Sequence, residues 1–375
     1  MDFEFSDEQA MLREVFRDTL RDHSSPEKVR AIADGGLDVD PKLWSLGAEL
    51  GWTGLAIPEQ YGGAGQGLVE LCIAAEELGR AITPGPFITT SLVGLAVARH
   101  GSAELQAEVL PGLADGSTPA TWALAEPRRG WAPESIQATA VLEGDTVLLN
   151  GRKTAVQDAG SAAWLLVLAV LDGEPTSFLV ERTAGGMATR RQKVLDQTRS
   201  LYEVRLENVR VPAARRLAGG AEQVRWLSDA AAVLTSADSL GVGERLLEMT
   251  VDYVNVRVQF DRPIGSFQAV KHKCSDMLML VRGVRAATYY AAMAFDAGTP
   301  DASRAASVAK AFSSEAMSRV AGEALQTHGG IGFTWEHDLH LYLRRAKTDE
   351  ALYGDAAVHQ RRLCSLLAAE GAGAR

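Results

Sequence analysis

The chain has 375 residues, 46 % hydrophobic and 23 % charged, with a formal net charge of −10. This length carries two or three domains with ample core, and the acidic balance excludes the basic face that a nucleic-acid binder needs. The longest apolar run, 162–171, is too short to span a bilayer, and Met1-Asp2-Phe3-Glu4-Phe5 is acidic rather than leader-like, so the expected location is cytoplasmic and off the membrane.

Helices are expected first. Ser6 followed by Gln9 signals a capping box, and Leu12, Val15, Phe16 and Leu20 form an amphipathic stripe. Pro41 opens a second helix through Trp44, Leu46 and Leu50. A Gly-rich loop, 58–67, precedes an apolar helix over 69–78, and two more helices fit 91–100 and 103–113. These make an N-terminal helical domain, 1–118.

The period then changes to two. Ile136, Ala138, Ala140 and Leu142 alternate with polar residues, Glu143-Gly144-Asp145 turns the chain, and 146–149 returns as a strand. Further strands are read at 162–170, 177–180 and 201–206. They predict a central β domain, 119–218, built as a small barrel or sandwich.

Helix returns in a C-terminal domain, 219–375. Long helices are read over 221–258, 267–297, 301–326 and 338–367, joined by short loops, which is a four-helix bundle. The fold class is α+β. The basic cluster Arg344-Arg345-Ala346-Lys347 reads as a solvated helix face. Cys72, Cys274 and Cys364 show no metal spacing, so no metal site and a reduced compartment are expected, with Cys274 as packing.

Three motifs lie in a telling order. Asn150-Gly151-Arg152-Lys153 follows the hairpin. The run Arg257-Val258-Gln259-Phe260-Asp261-Arg262-Pro263-Ile264-Gly265-Ser266-Phe267-Gln268 opens the second bundle helix. Gln326-Thr327-His328-Gly329-Gly330-Ile331-Gly332 ends the third. Gly329 and Gly330 lack Cβ atoms, so another group can approach this backbone closely. Arg257 offers a planar fork of donors to phosphate, and Phe260 a flat apolar surface. His328 alone reads as a loop or core histidine.

With these motifs the whole chain resembles the acyl-CoA dehydrogenase family: a helical domain, a β domain and a four-helix bundle, with FAD shared across a subunit interface. The resemblance implies FAD contacts to a neighbouring protomer from Arg257, Gln259, Phe260, Ile264, Gln268, Gln326, Gly329 and Gly330. It also implies an acyl-CoA substrate and an electron-transfer flavoprotein as acceptor.

The family's own-subunit flavin motifs are eroded. Its Thr-Glu-Pro-x-x-Gly-Ser-Asp stands as Ala125-Glu126-Pro127-Arg128-Arg129-Gly130-Trp131-Ala132, its Trp-Ile-Thr/Ser as Ala155-Val156-Gln157, and its catalytic Glu-Gly-Thr as Tyr353-Gly354-Asp355. The alternate base position on the first bundle helix is Ala231. Asp229 matches a family aspartate near the pantetheine, although the neighbouring arginine is Ala232. The pattern resembles the base-lacking subunit of actinobacterial α2β2 steroid side-chain acyl-CoA dehydrogenases, with a homologous catalytic subunit as partner. Two other readings stay open: a self-sufficient homotetramer with Tyr353 or Asp229 as an unusual base, and a non-catalytic scaffold or regulatory subunit.

Overall fold

The computed structural model describes residues 4–373. The chain begins with α1 (Asp7–His23), α2 (Pro26–Asp34), α3 (Pro41–Glu49), α4 (Leu68–Arg80), α5 (Phe87–His100) and α6 (Ala103–Ala114). The expected capping box forms: Gln9 N donates to Ser6 Oγ at 3.2 Å, and Ser6 N to Gln9 Oε1 at 3.1 Å. Helices α2 and α3 each start on a proline behind an N-cap, Ser25 and Asp40, where the missing N–H costs nothing.

Seven strands follow: β1 (Ala120–Ala123), β2 (Thr139–Glu143), β3 (Thr146–Gln157), β4 (Trp164–Leu171), β5 (Glu174–Glu181), β6 (Met187–Arg191) and β7 (Leu201–Pro212). They join in one mixed sheet of order β1-β4-β2-β3-β7-β6, with β5 on β4. The predicted hairpin is β2–β3, closed by Glu143 opposite Thr146. Strand β4 is buried on both faces from Leu165 to Ala169, which explains its unbroken apolar run.

The rest is α7 (Gly220–Val256), the two-residue strands β8 (Val258–Gln259) and β9 (Arg262–Pro263), α8 (Gln268–Asp296), α9 (Ala302–His328), α10 (Leu339–Ala351) and α11 (Ala356–Gly373). Helices α4 and α7 cross at glycines. A Cβ on Gly79 would collide with the Asp238 carbonyl, and one on Gly241 with the Glu76 carbonyl, so only glycine allows this approach.

One expectation needs correction. The single helix expected over 338–367 is two helices, α10 and α11. Leu352 is extended, and Tyr353 and Gly354 both take positive φ, 56° and 104°. Asp355 then restarts the helix, accepting from Val358 N at 2.9 Å. This break lifts Tyr353 out of the helix and turns its ring into the sheet domain. Among the described residues no helix is long and apolar enough to cross a membrane, and no cluster of three or more His, Cys, Asp or Glu could hold a metal.

Candidate functional site

The sequence-singled residues fall into two regions. The first surrounds the α10–α11 break. Tyr353 is 7 % exposed, and its ring lies 5.9 Å from Trp122 and 4.9 Å from Trp131. Its hydroxyl accepts from Gln157 Nε2 at 2.9 Å, and Gln157 Oε1 accepts from Arg199 at 2.9 Å. Burial pushes the phenol up to about 12, with Arg199 opposing. A general base works best near the operating pH, and burial moves this phenol away from it. Next to Gln157, Asp158 is buried as well; burial and then Asp38 hold its carboxyl up at about 8.

The other eroded positions are filled too. Thr154 N donates to Ala125 O at 2.9 Å, and Ala155 N to Gln192 Oε1 at 3.0 Å. The Ala125 carbonyl and the Ala155 amide are thus already satisfied within the chain. Retained Glu126 and Lys153 brace the sheet: the carboxylate accepts from Gln137 N, Ala138 N and Lys153 Nζ, each at 2.8 Å. Burial draws the Lys153 ammonium down to about 8 against the pull of Glu126. Three aromatic rings, Gln157 and Gln192 thus pack and bond among themselves at these positions.

Beneath Tyr353 lies a buried charge network. Arg345 is 1 % exposed, not on a solvated face as its basic cluster led us to expect. Its guanidinium meets Asp238 at 3.2 Å and Asp196 at 3.3 Å, and its Nε donates to Thr198 Oγ1 at 2.9 Å. Arg199 joins Asp238 at 2.9 Å to Asp349 at 2.8 Å. Burial opposes ionisation of Asp238, but Arg199 and Arg345 hold its carboxyl down, while burial and Asp238 together push Asp349 up. Sequence reading missed Arg199 and Gln192, and the buried role of Arg345, because their partners lie far away along the chain.

Neither alternate position offers an unpaired carboxylate. Ala231 is fully buried within α7. Asp229 accepts from Ser303 Oγ at 2.7 Å and from Arg362, whose Nη2 also reaches Ser303 Oγ at 2.6 Å. Burial raises the Asp229 carboxyl while Arg362 pulls it down.

The second region is open. Strands β8 and β9 make a two-residue hairpin, with Gln259 opposite Arg262 and positive φ at both turn residues, Phe260 (52°) and Asp261 (61°). A left-handed non-glycine residue costs about 1–3 kcal/mol, a strain that gathers at ligand clamps. Phe260 projects 86 % exposed, its ring 6.1 Å from that of Phe267, over which Arg262 lies at 4.0 Å. Ile264 is half-buried in the following turn, and Gln268 starts α8.

Tyr253 and His328 bring the end of α9 to this hairpin. Their rings stack at 4.5 Å, and Tyr253 Oη donates to His328 O at 3.3 Å. His328 is a core histidine, bonded through Nδ1 to Ala324 O at 2.8 Å. The side chains of Arg257, Gln268 and Gln326 have no partner among the described residues. Gly329 takes φ 63°, and a Cβ on it or on Gly330 would meet only open space. Unpartnered donors, an exposed ring and a bare backbone suit the phosphate-and-adenine end of a dinucleotide.

A helical domain, a curled sheet and a bundle with these motifs define a flavoprotein oxidoreductase acting on acyl-CoA. Models of the acyl-CoA dehydrogenase N-terminal, middle and C-terminal domains match residues 6–117, 121–209 and 218–365, and the chain belongs to the acyl-CoA dehydrogenase family, whose members depend on FAD. Acyl-CoA dehydrogenase IpdE2 of Mycolicibacterium smegmatis is 35 % identical over 96 % of this chain and 98 % of its own. A variant of the Tcur3481–Tcur3483 steroid acyl-CoA dehydrogenase is 34 % identical with a TM-score of 0.91, covering 98 % of this chain and 99 % of that one. The ChsE4–ChsE5 complex from Mycobacterium tuberculosis is 31 % identical with a TM-score of 0.91, at the same coverage of 98 % and 99 %.

Proposed function

We propose that this chain is the base-lacking subunit of a heteromeric, FAD-dependent acyl-CoA dehydrogenase. In this reading it lends Arg257, Gln259, Phe260, Ile264, Gln268, Gln326, Gly329 and Gly330 to an FAD whose flavin ring rests in a homologous catalytic partner. The observation that carries the proposal is a contrast within one chain: Tyr353 is plugged among Trp122, Trp131 and Gln157, while the hairpin end offers donors with nothing to bind.

When bound, FAD supplies the hydride acceptor for α,β-dehydrogenation. This chain's share is to hold and orient. Arg257 presents a fork to phosphate, Phe260 a ring face, Gln268 and Gln326 amides, and Gly329-Gly330 a backbone without side-chain bulk. Tyr353, buried and protonated, leaves abstraction of the α-proton to the partner. The similarity to a steroid acyl-CoA dehydrogenase and to the ChsE4–ChsE5 complex supports a bulky, steroid side-chain acyl-CoA as substrate and a homologous partner. An electron-transfer flavoprotein is the proposed acceptor.

The test is Arg257→Ala combined with Gln326→Ala in the assembled complex. FAD content and turnover should fall at least tenfold with the assembly intact. Unchanged FAD content would leave the chain a scaffold.

A further inference from the structure

A charged cavity lies apart from both regions, between α1, α2, α4, α7 and α10. It holds about 430 Å³, and Arg17, Arg21, Arg80 and Arg245 wall it together with Glu77 and Tyr342. Small-molecule sites span roughly 300–1,000 Å³, so this space would admit a metabolite.

The carboxylates that balance these arginines are shared. Glu77 takes Arg17 at 2.7 Å and also Arg13 at 3.0 Å; Glu248 takes Arg80 at 2.5 Å and also Arg245 at 3.2 Å. Arg21, at the rim, meets Asp18 at 2.8 Å and Asp22 at 3.4 Å. Arg17 uses two of its N–H donors on Glu77, and Arg80 two on Glu248. A guanidinium has five donors, which leaves each of these two arginines three. Exposure grades outward, from Arg80 (18 %) through Arg17 and Arg245 (38 % each) to Arg21 (66 %). Glu244 adds a third carboxylate, 3.9 Å from Arg17 and 3.8 Å from Arg80, so the cavity floor is a partly desolvated surface of paired arginines with donors to spare, where charge-assisted bonds are strongest.

We propose that this cavity binds a small phosphate-bearing ligand, the phosphate held by Arg80 and Arg245 and the approach lined by Arg17 and Arg21. Guanidinium forks match tetrahedral phosphate oxygens, and a cavity this large leaves room for the group that the phosphate is attached to. Free phosphate and a nucleotide share this chemistry.

The test is calorimetric titration of the full chain, in its native assembly and at fixed ionic strength, with inorganic phosphate, pyrophosphate and adenosine monophosphate. At least one should bind saturably at one per chain. Arg245→Gln and Arg21→Gln should each weaken that binding at least tenfold, while Arg257→Ala at the hairpin end leaves it unchanged. Arg21 is mostly exposed, so its variant should keep the parent Tm even where Arg245→Gln does not. Tighter binding of adenosine monophosphate than of phosphate would mark a nucleotide site, and equal binding a site for the free anion. Absence of saturation at millimolar concentration, or equal affinity in Arg21→Gln and the parent, overturns the proposal.

Discussion

Gln157 donates its amide to the hydroxyl of Tyr353 over 2.9 Å, joining the end of β3 to the break between α10 and α11. At these two positions the family resemblance leads one to expect a flavin-side hydroxyl and the catalytic carboxylate. Here they bond to each other, and Arg199 completes the chain at 2.9 Å.

Replacing Tyr353 by Phe deletes that bond and keeps the ring between Trp122 and Trp131. Denaturant melts should show a loss of about 1 kcal/mol, and turnover of the complex should stay within about twofold of the parent. A hundredfold fall in kcat with an unchanged melt would make Tyr353 a reacting group and restore the self-sufficient reading.

Arg345 neutralises Asp238 and Asp196 in the interior. Arg345→Met leaves the Asp196 carboxylate without its ion pair and Asp238 with Arg199 alone, and breaking a buried pair in this way costs about 3–5 kcal/mol. Urea unfolding measures it. A loss below about 1 kcal/mol would mean the carboxylates find protons or water with little penalty.

His359 holds the same break from below, with Nε2 3.1 Å from Tyr353 O. Burial lowers its pKa from 6.5 to about 4. The unfolded chain therefore binds this proton more readily than the folded one. Stability from the neutral ring is complete above about pH 6.5 and declines as pH falls toward 4, by about 3 kcal/mol at most. Thermal melts from pH 7 to 4 should show a steeper acid loss in the parent than in His359→Gln. Parallel curves would contradict this.

The order of helix, sheet and bundle is legible in the sequence because the hydrophobic period switches from 3.6 to 2 and back, with caps such as Ser6 and Gln9 marking where α1 begins. The open end is legible as well, since Arg257, Phe260 and Gln326 to Gly330 form compact motifs. The break at Tyr353 is harder to see. Two backbone positions interrupt an otherwise helical pattern, and Gly354-Asp355 is a short signal for a stop and a restart. The buried role of Arg345 has no local signature at all: Asp238 lies 107 residues away, and a basic cluster on a helix reads the same whether solvent or carboxylates face it.

Flavin content tests most directly the division of labour between the plugged Tyr353 region and the open hairpin end. The chain should be purified alone and again with its homologous partner, and FAD counted per polypeptide. The expected result is little or no FAD and no dehydrogenation by the chain alone, with one FAD per pair of unlike subunits and full turnover in the complex. One FAD for every copy of this chain purified alone, together with turnover, would contradict it.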